Sequence, residues 1–305
     1  MADLTTQLCG LTLKNPVIAS SGTFGYGIEL ESILDLNAIG GFVVKGLSRE
    51  PIAGNPAPRV TETTSGMLNS IGLQNVGVEA FVRDKLPKLA QFESAVFANV
   101  FGYEPADYVE VLRVLEDAEG LAGYELNVSC PNTKHGGMQF GADPQLLEEV
   151  VGMARQAVSR RPLIVKLSPN VTDIAEMARA AEDAGADAIS LINTVQALAV
   201  DARTRKPKVG AGMGGLSGPA IKPIALRMVY QVAQAVKIPV IGMGGVASGE
   251  DVAEFLLCGA TAIQVGTASF WDPKSPTRIA SEFDHFLDDT GVRASADLVG
   301  QLEMP

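Results

Sequence analysis

A single thiol lies among amides where an apolar stretch of the chain ends. Residues 124–128 alternate as a β-strand does, and Cys130 follows them, between Asn127 and Asn132. Pro131 has no N–H and disfavours helical backbone at the residue before it, so the chain must turn sharply there. A cysteine in this setting is either a small buried apolar residue or a catalytic thiol. The stretch alone leaves both open, and the other polar residues of the chain favour catalysis.

Two lysines interrupt otherwise apolar, strand-like runs. Lys45 ends the run Phe-Val-Val-Lys, and Lys166 lies within Ile-Val-Lys-Leu. Lysine is rarely buried without a partner. A side chain that reaches solvent from a strand end would account for either lysine alone, but an anionic ligand near the strand ends accounts for both.

Asparagines recur where strands end or in a long loop. One asparagine in a loop is usually a turn residue, but five that converge predict recognition of a flat ligand with N–H and C=O groups. These residues are Asn69, Asn99, Asn127, Asn132 and Asn193.

Glycine turns follow the last two predicted strands, in segments 239–246 and 263–268. They are either plain tight turns or a phosphate site, which barrel enzymes often build at this place from backbone N–H groups. Segment 210–215 matches GxGxxG, but no convincing strand precedes it and Pro219 delays any helix, so we reject a dinucleotide site there. We expect Gly218 to lie against a ligand instead.

Eight short apolar runs alternate with helical patterns along the chain. The runs suit strands buried on both faces, and the segments between them carry apolar residues three and four positions apart. The predicted strands are 16–19, 41–45, 95–100, 124–128, 163–167, 188–193, 239–243 and 262–265, and the predicted helices are 29–36, 78–90, 105–116, 144–158, 173–184, 221–235, 249–257 and 277–287. The alternation predicts an α/β fold of the (β/α)8, or TIM, barrel type, with a doubly wound open sheet as the alternative.

The predicted barrel carries an N-terminal hairpin within residues 4–18 and long loops after strands 2 and 6, at 46–77 and 194–219. Loops that follow strands lie on the face where barrel enzymes build their sites. No linker or low-complexity tract interrupts the chain, so residues 1–305 are predicted to form one domain.

Composition narrows the class of partner. The 305 residues are 47% hydrophobic with a net charge of -11, which favours a large core and argues against a nucleic-acid partner. We find no signal peptide and no membrane-spanning run, and we expect a soluble cytoplasmic protein.

The three cysteines have no CxxC spacing, so this chain alone is expected to hold no metal and no iron–sulfur cluster. Cys9 and Cys258 lie in apolar surroundings and are predicted to be inert. His135 is predicted to be a solvated loop residue rather than a catalytic one.

Three segments resemble the dihydroorotate dehydrogenases: Asn-Ser-Ile-Gly-Leu-Gln-Asn at 69–75, Asn-Val-Ser-Cys-Pro-Asn at 127–132 and Ile-Gly-Met-Gly-Gly at 241–245. The resemblance covers almost the whole chain. The chain has cysteine at position 130, where the membrane-associated class would carry serine, and in this it resembles class 1. Two segments resemble class 1B, the catalytic subunit of the NAD-linked form: the sequence of residues 69–75 and Lys-His-Gly-Gly at 134–137.

The resemblance implies oxidation of dihydroorotate to orotate in pyrimidine biosynthesis, with Cys130 as base and one FMN per chain. The residues implied to hold FMN are Ser21, Lys45, Gly46, Asn99, Asn127, Lys166, Ile192, Gly218, Gly244, Gly245, Gly266 and Thr267. Those implied to hold the substrate are Lys45, Asn69, Ser70, Ile71, Gly72, Leu73, Asn127, Asn193 and Thr194. It also implies a partner subunit with FAD and an iron–sulfur cluster, in a heterotetramer of two plus two, that passes electrons to NAD.

Three alternatives remain at this point. A class 1A enzyme would act as a homodimer and reduce fumarate. A tRNA dihydrouridine synthase also combines a barrel, FMN and a cysteine, but it needs a basic surface, which the charge of -11 opposes. A barrel that only binds ligands would not need a thiol and a buried Lys166 at one mouth.

Overall fold

The computed structural model of the protein describes residues 2–129 and 140–305, and a closed parallel barrel lies at the centre of this part of the chain. Its strands are β1 (Val17–Ala19), β2 (Gly41–Val43), β3 (Ala95–Val100), β4 (Gly123–Asn127), β5 (Leu163–Lys166), β6 (Ala188–Leu191), β7 (Val240–Met243) and β8 (Ala262–Val265). Each strand pairs with its neighbour in sequence, and β8 pairs with β1 to close the barrel. The predicted (β/α)8 fold is confirmed.

Helices lie between the strands. A continuous helical segment comprises Val78–Ala80, a π-helical Phe81–Lys85 and Leu86–Leu89, which together we call α1. The others are α2 (Pro105–Asp117), α3 (Pro144–Ala157), α4 (Ile174–Asp183), α5 (Lys222–Ala233), α6 (Gly249–Leu257), α7 (Ala268–Trp271) and α8 (Ser275–Thr290). Side-chain caps begin three of them, because Asp143, Asp173 and Ser248 each accept backbone N–H groups of the first turn.

The helix predicted at 29–36 is wrong. Two short 3-10 turns occupy this region, at Ile28–Leu30 and Leu36–Ala38. Between them Asp35 has extended backbone, and its carboxylate accepts the N–H of Asn37 at 2.9 Å. This local hydrogen bond competes with the helical pattern, so apolar periodicity alone could not sustain a helix here.

Two apolar clusters lie on opposite sides of the barrel wall. The larger packs the strands against the helices. The smaller has no helical member among the described residues and therefore fills the barrel interior. Its buried members are Ile18, Val43, Phe97, Ile164, Ala188, Ile241 and Ala262 from the strands, with Leu8 and Leu13 from the N-terminal hairpin. The hairpin, formed by Thr6–Leu8 and Leu11–Leu13, thus closes one end of the barrel.

Above this apolar layer the barrel interior becomes polar. Side chains two residues apart on a strand face the same side, and the strands that provide Phe97, Ile164, Ala188 and Ala262 to the apolar layer provide polar residues two positions later. These are Asn99, Lys166, Ser190 and Gln264, and all four are buried. The change from apolar to polar occurs toward the carboxyl ends of the strands.

The two long connections join into one sheet over the carboxyl ends. Val60–Thr63 and Gly66–Asn69 form a hairpin in the connection after β2. Gly66–Asn69 also pairs with Gly214–Ser217 from the connection after β6, which in turn pairs with Val195–Ala197. We call this four-stranded antiparallel sheet the cap sheet.

The opposite end of the barrel is tied by a buried arginine. The Arg161 side chain, 8% exposed, donates to the Tyr124 hydroxyl at 2.8 Å and to the carbonyl oxygen of Leu121 at 2.9 Å. Glu116 accepts from the same hydroxyl at 2.7 Å. Burial opposes the charge of Glu116, but hydrogen bonds from Ser159 and these neighbours outweigh it and lower its pKa. This cluster links α2 to β4 and β5.

Among the described residues, no helix combines the length and the apolar character that crossing a bilayer requires.

Candidate active site

A cavity of about 630 Å³ lies between the carboxyl ends of the strands and the cap sheet. Every strand of the barrel contributes residues to the cavity wall, either from the carboxyl end of the strand or from the segment that follows it. The volume is typical of pockets that bind small molecules or cofactors.

The predicted site residues meet in this cavity. The predicted cofactor residues that line it are Ser21, Lys45, Gly46, Asn99, Asn127, Lys166, Ile192, Gly218, Gly244, Gly245, Gly266 and Thr267. The predicted substrate residues that line it are Lys45, Asn69, Ser70, Ile71, Gly72, Leu73, Asn127, Asn193 and Thr194. Cys130, Asn132 and His135 lie outside the described residues, although Ser129, which directly precedes Cys130, also lines the cavity.

Lys166 is the most deeply buried cation of the cavity wall. The residue is 5% exposed, and its ammonium lies 3.6 Å from the carboxylate of Glu125, which is fully buried on β4. Lys166 was predicted as a site residue because it interrupts an apolar strand. The structure adds its buried counter-charge, Glu125, which the sequence analysis missed. Charges buried in this way act more strongly on a ligand than exposed ones do.

Two asparagines on neighbouring strand ends hold each other in place. Asn193 donates a side-chain hydrogen bond to the Asn127 oxygen at 3.2 Å, and the backbone N–H of Ser129 donates to the same oxygen at 3.3 Å. The oxygen of Asn193 accepts from the N–H of Thr194 at 2.8 Å. With their oxygens engaged, both side chains offer N–H groups to a ligand that carries carbonyl or carboxylate oxygens.

The segment 69–73 forms a tight turn in the cavity wall. Gly72 and Leu73 both have left-handed backbone, with φ of 75° and 61°. A Cβ on Gly72 would lie 2.5 Å from the backbone nitrogen of Asn55, so only glycine fits there. The Ser70 hydroxyl is buried and has no hydrogen-bond partner among the described residues, which leaves it available to a ligand.

The glycine turn after β7 packs closely against its neighbours. Gly244 and Gly245 have φ of 123° and 86°, and a Cβ on Gly245 would lie 3.0 Å from the carbonyl oxygen of Gly218. Nearby, Asp251 and Glu254 lie 2.6 and 2.7 Å from the Lys222 ammonium. Burial opposes the charge of Lys222, but these hydrogen bonds outweigh it and raise its pKa. The positive charge of Lys222 is thus already balanced by two carboxylates. An anion at this turn would be met by backbone N–H groups instead.

The GxGxxG segment does not form a dinucleotide-binding turn. Gly214 begins a strand of the cap sheet rather than a helix. Gly218, with φ of 96°, lines the cavity.

The remaining described cysteines fit an inert role. Burial, followed by the nearby charge of Asp187, raises the pKa of Cys9 to about 12. Burial, followed by the charge of Glu254, raises the pKa of Cys258. Neither residue lines the cavity.

Sequence analysis missed several polar residues of the site. Asn170 donates to the carbonyl oxygen of Thr194 at 3.1 Å and accepts from the N–H of Gln196 at 2.9 Å, so it anchors the connection after β6. Glu125 and Gln264 were also missed. Both interrupt apolar strands, which is the signal that identified Lys166.

A closed parallel barrel whose carboxyl ends surround one polar cavity is the architecture of the (β/α)8-barrel enzymes. Comparison with known proteins narrows this class. The family described as dihydroorotate dehydrogenase matches residues 3–287. The chain belongs to the dihydroorotate dehydrogenase family, and it is an oxidoreductase of pyrimidine biosynthesis that acts on dihydroorotate.

Full-length relatives carry two different names. A protein of Solibacter usitatus named putative dihydroorotate dehydrogenase A (fumarate) is 67% identical over 98% of both chains. Proteins of Pelobacter propionicus and Geobacter sulfurreducens, both named dihydroorotate dehydrogenase B (NAD(+)), catalytic subunit, are each 54% identical over 99% of both chains. The predicted dihydroorotate dehydrogenase family and the oxidoreductase activity on dihydroorotate are confirmed.

Proposed function

We propose that this chain is the FMN-binding catalytic subunit of a class 1B dihydroorotate dehydrogenase. In this role it oxidises dihydroorotate to orotate and passes the electrons through a partner subunit to NAD. The observation that carries the proposal is the meeting of a buried lysine, several oriented amides and two glycine turns in one cavity at the barrel mouth.

The cavity fits FMN by the chemistry of its donors. Backbone N–H groups at Gly244, Gly245 and Thr267 suit the phosphate, since glycines there allow close approach. Lys166 suits the carbonyl oxygens and ring nitrogens of the isoalloxazine, and Asn99 is a further residue proposed to hold the ring. The other cofactor residues proposed are Ser21, Lys45, Gly46, Asn127, Ile192, Gly218 and Gly266. When bound, FMN supplies the hydride acceptor that amino-acid side chains lack.

Orotate is a flat ring of amide groups with one carboxylate, and the cavity wall offers complementary groups. Asn127 and Asn193 present N–H groups. The buried Ser70 hydroxyl forms no hydrogen bond with any described residue, so it can bond to the ligand. Lys45 provides positive charge for a carboxylate. We propose that these residues, with Asn69, Ile71, Gly72, Leu73 and Thr194, hold the substrate ring flat.

Cys130 is the proposed base. The oxidation removes a proton from one carbon of dihydroorotate and a hydride from its neighbour. In the sequence Cys130 follows Ser129, which lines the cavity, and the other two thiols have raised pKa values and lie outside the wall. Cys130 takes the proton, while the asparagines hold the ring.

The final acceptor defines the class. We propose no nicotinamide site in this chain, so NAD reduction would need a partner subunit. We propose that this partner carries FAD and an iron–sulfur cluster and that the assembly contains two chains of each kind. The relatives from Pelobacter propionicus and Geobacter sulfurreducens support this reading by name. The relative from Solibacter usitatus, at 67% identity, favours a second candidate, the class 1A enzyme that reduces fumarate as a homodimer.

Turnover of the purified chain separates the two candidates. We expect a yellow protein that is bleached by dihydroorotate and that reduces neither NAD nor fumarate rapidly by itself. Rapid fumarate reduction would assign the chain to class 1A. Rapid NAD reduction without a partner would contradict the proposed electron path, and a colourless protein that never binds FMN would overturn the proposal as a whole.

A further inference from the structure

A fully buried carboxylate lies directly beneath the cavity. Glu125 accepts hydrogen bonds from the Asn99 amide at 2.7 Å, the Gln264 amide at 2.7 Å and the Ser190 hydroxyl at 3.0 Å. The Lys166 ammonium lies 3.6 Å from the same group. These residues belong to β3, β4, β5, β6 and β8, so Glu125 connects most of the barrel across its interior.

This carboxylate fixes how two amides are oriented. An ionised carboxylate only accepts hydrogen bonds, so Asn99 and Gln264 must each turn the NH2 side of the amide toward Glu125. Their carbonyl oxygens consequently point elsewhere. Without the carboxylate, either amide could rotate by half a turn and exchange acceptor for donor.

The oxygen of Gln264 has no partner of its own. It is buried, and it makes no hydrogen bond to any part of the chain that the structure describes. Gln264 is 1% exposed and lines the cavity. A buried acceptor left without a donor costs free energy comparable to a lost hydrogen bond, so this oxygen is arranged to meet a donor on a ligand.

We propose that Glu125 is a positioning residue that holds the Gln264 amide so that its oxygen accepts the ring N–H of FMN. The inference rests on the proposed FMN site. The oxidised isoalloxazine ring carries one N–H, at N3, between two carbonyl groups. Gln264 supplies the acceptor for this N–H, and Lys166 lies close by to serve an adjacent carbonyl.

Affinity for two flavins tests this pairing. Apoprotein would be titrated with FMN and with FMN methylated at N3, which has no ring N–H. We expect the wild type to prefer FMN. Gln264→Met keeps the side-chain length but removes the acceptor, so FMN should bind about tenfold more weakly, equivalent to about 1.4 kcal/mol. The preference over the methylated flavin should shrink by a similar factor.

Glu125→Gln tests the positioning role itself. The Lys166 ammonium lies beside the carboxylate oxygen that Asn99 contacts, so the new NH2 group takes the other position and faces Gln264, whose amide must then turn its oxygen inward. We expect a comparable loss of preference between the two flavins, although Gln264 is unchanged. Glu116→Gln is the matched control, since Glu116 is also a mostly buried, multiply hydrogen-bonded carboxylate, 12% exposed, but lies at the other end of the barrel.

The outcomes separate the inference from the function on which it rests. If wild type binds FMN and is bleached by dihydroorotate, but Gln264→Met keeps the full preference for FMN, the inference is overturned and the proposed function stands. If wild type binds no FMN, both fall. If Glu125→Gln folds, as judged by thermal unfolding, and keeps the full preference for FMN, the positioning role of Glu125 is overturned. If it fails to fold, Gln264→Met decides the acceptor role of Gln264. Reduced preference in both variants, with Glu116→Gln unchanged, supports the inference.

Discussion

Leu68 lies opposite Leu216 in the antiparallel pairing that joins the two long connections of the barrel. Leu68 is 1% exposed, and Leu216 packs against the main core. The two connections therefore form one body over the cavity, held by strand pairing as well as by apolar contact. Both connections line the cavity, so a ligand beneath the cap sheet would touch both at once.

We predict that orotate protects the connection after β2 from proteolysis. Arg59 lies at the start of the cap sheet, and its guanidinium donates to the side chain of Gln74 and to the carbonyl oxygen of Ala53. Ligand binding beneath the sheet should reduce local opening, so trypsin should cut after Arg59 more slowly with orotate present. Cleavage after Arg293, which is exposed and remote from the cavity, serves as the internal control. Equal protection at both sites, or at neither, would argue against a cap that responds to ligand.

We predict that Cys130→Ala slows reduction of the flavin by dihydroorotate by about 10²–10⁴, the usual share of a general base. An ordinary thiol has a pKa of about 8.5, so the wild-type rate should rise with pH toward that value. Stopped-flow bleaching of the flavin measures both effects. Cys258→Ala is the matched control, because burial raises the pKa of that thiol. An unchanged rate in Cys130→Ala would show that another group takes the proton.

We predict that Lys166→Met weakens FMN retention and slows flavin reduction more than it destabilises the fold. The substitution removes the most deeply buried cation of the cavity wall and leaves Glu125 without its charged partner. Flavin content after gel filtration, stopped-flow bleaching and thermal unfolding give the three quantities. Lys14→Met, which alters an exposed lysine paired with Glu93, is the control. A variant that keeps both its flavin and its reduction rate would restrict Lys166 to a structural role.

We predict that Arg161→Met lowers the free energy of unfolding by about 3–5 kcal/mol, because it breaks a buried ionic cluster, while flavin reduction stays unchanged. Denaturant unfolding and stopped-flow bleaching measure the two effects.

In the wild type, Glu116 adds an acid-sensitive contribution. Its folded pKa is lower than the ordinary value of 4.5, so its stabilisation is present above that value and disappears as pH falls through the lowered one. Glu116→Gln, which has no carboxylate to protonate, should lose less stability over this acidic range. Equal pH sensitivity in both proteins would contradict the role given to the cluster.

Sequence predicted the barrel well because each strand is buried on both faces, which leaves a nearly continuous apolar run. It failed at 29–36, where the Asp35 carboxylate interrupts the helical pattern by accepting the backbone N–H of Asn37. It also did not predict the cap sheet. Gly214–Ser217 contains two glycines and a serine, so it lacks strand composition, and its pairing depends on a partner about 150 residues away.

The candidate site is predicted from polar residues that interrupt apolar strands. Lys45 and Lys166 were noticed because charge interrupts a strand. Glu125 and Gln264 interrupt strands in the same way, yet only the structure joins them into one network with Asn99. Such partnerships span strands far apart in sequence, so no local pattern could reveal which polar residues are paired and which remain available.

The closure of the barrel has a consequence for how the protein folds. Every other strand pairing in the barrel joins strands that are consecutive in sequence. In contrast, β1 and β8 pair although most of the chain lies between them. Loop-closure entropy makes such a pairing costly to form early. Closure also brings Ser20 against Val265, next to the turn at Thr267. The cavity is therefore complete only when folding is complete, and a ligand that spans this seam should favour the closed chain by mass action.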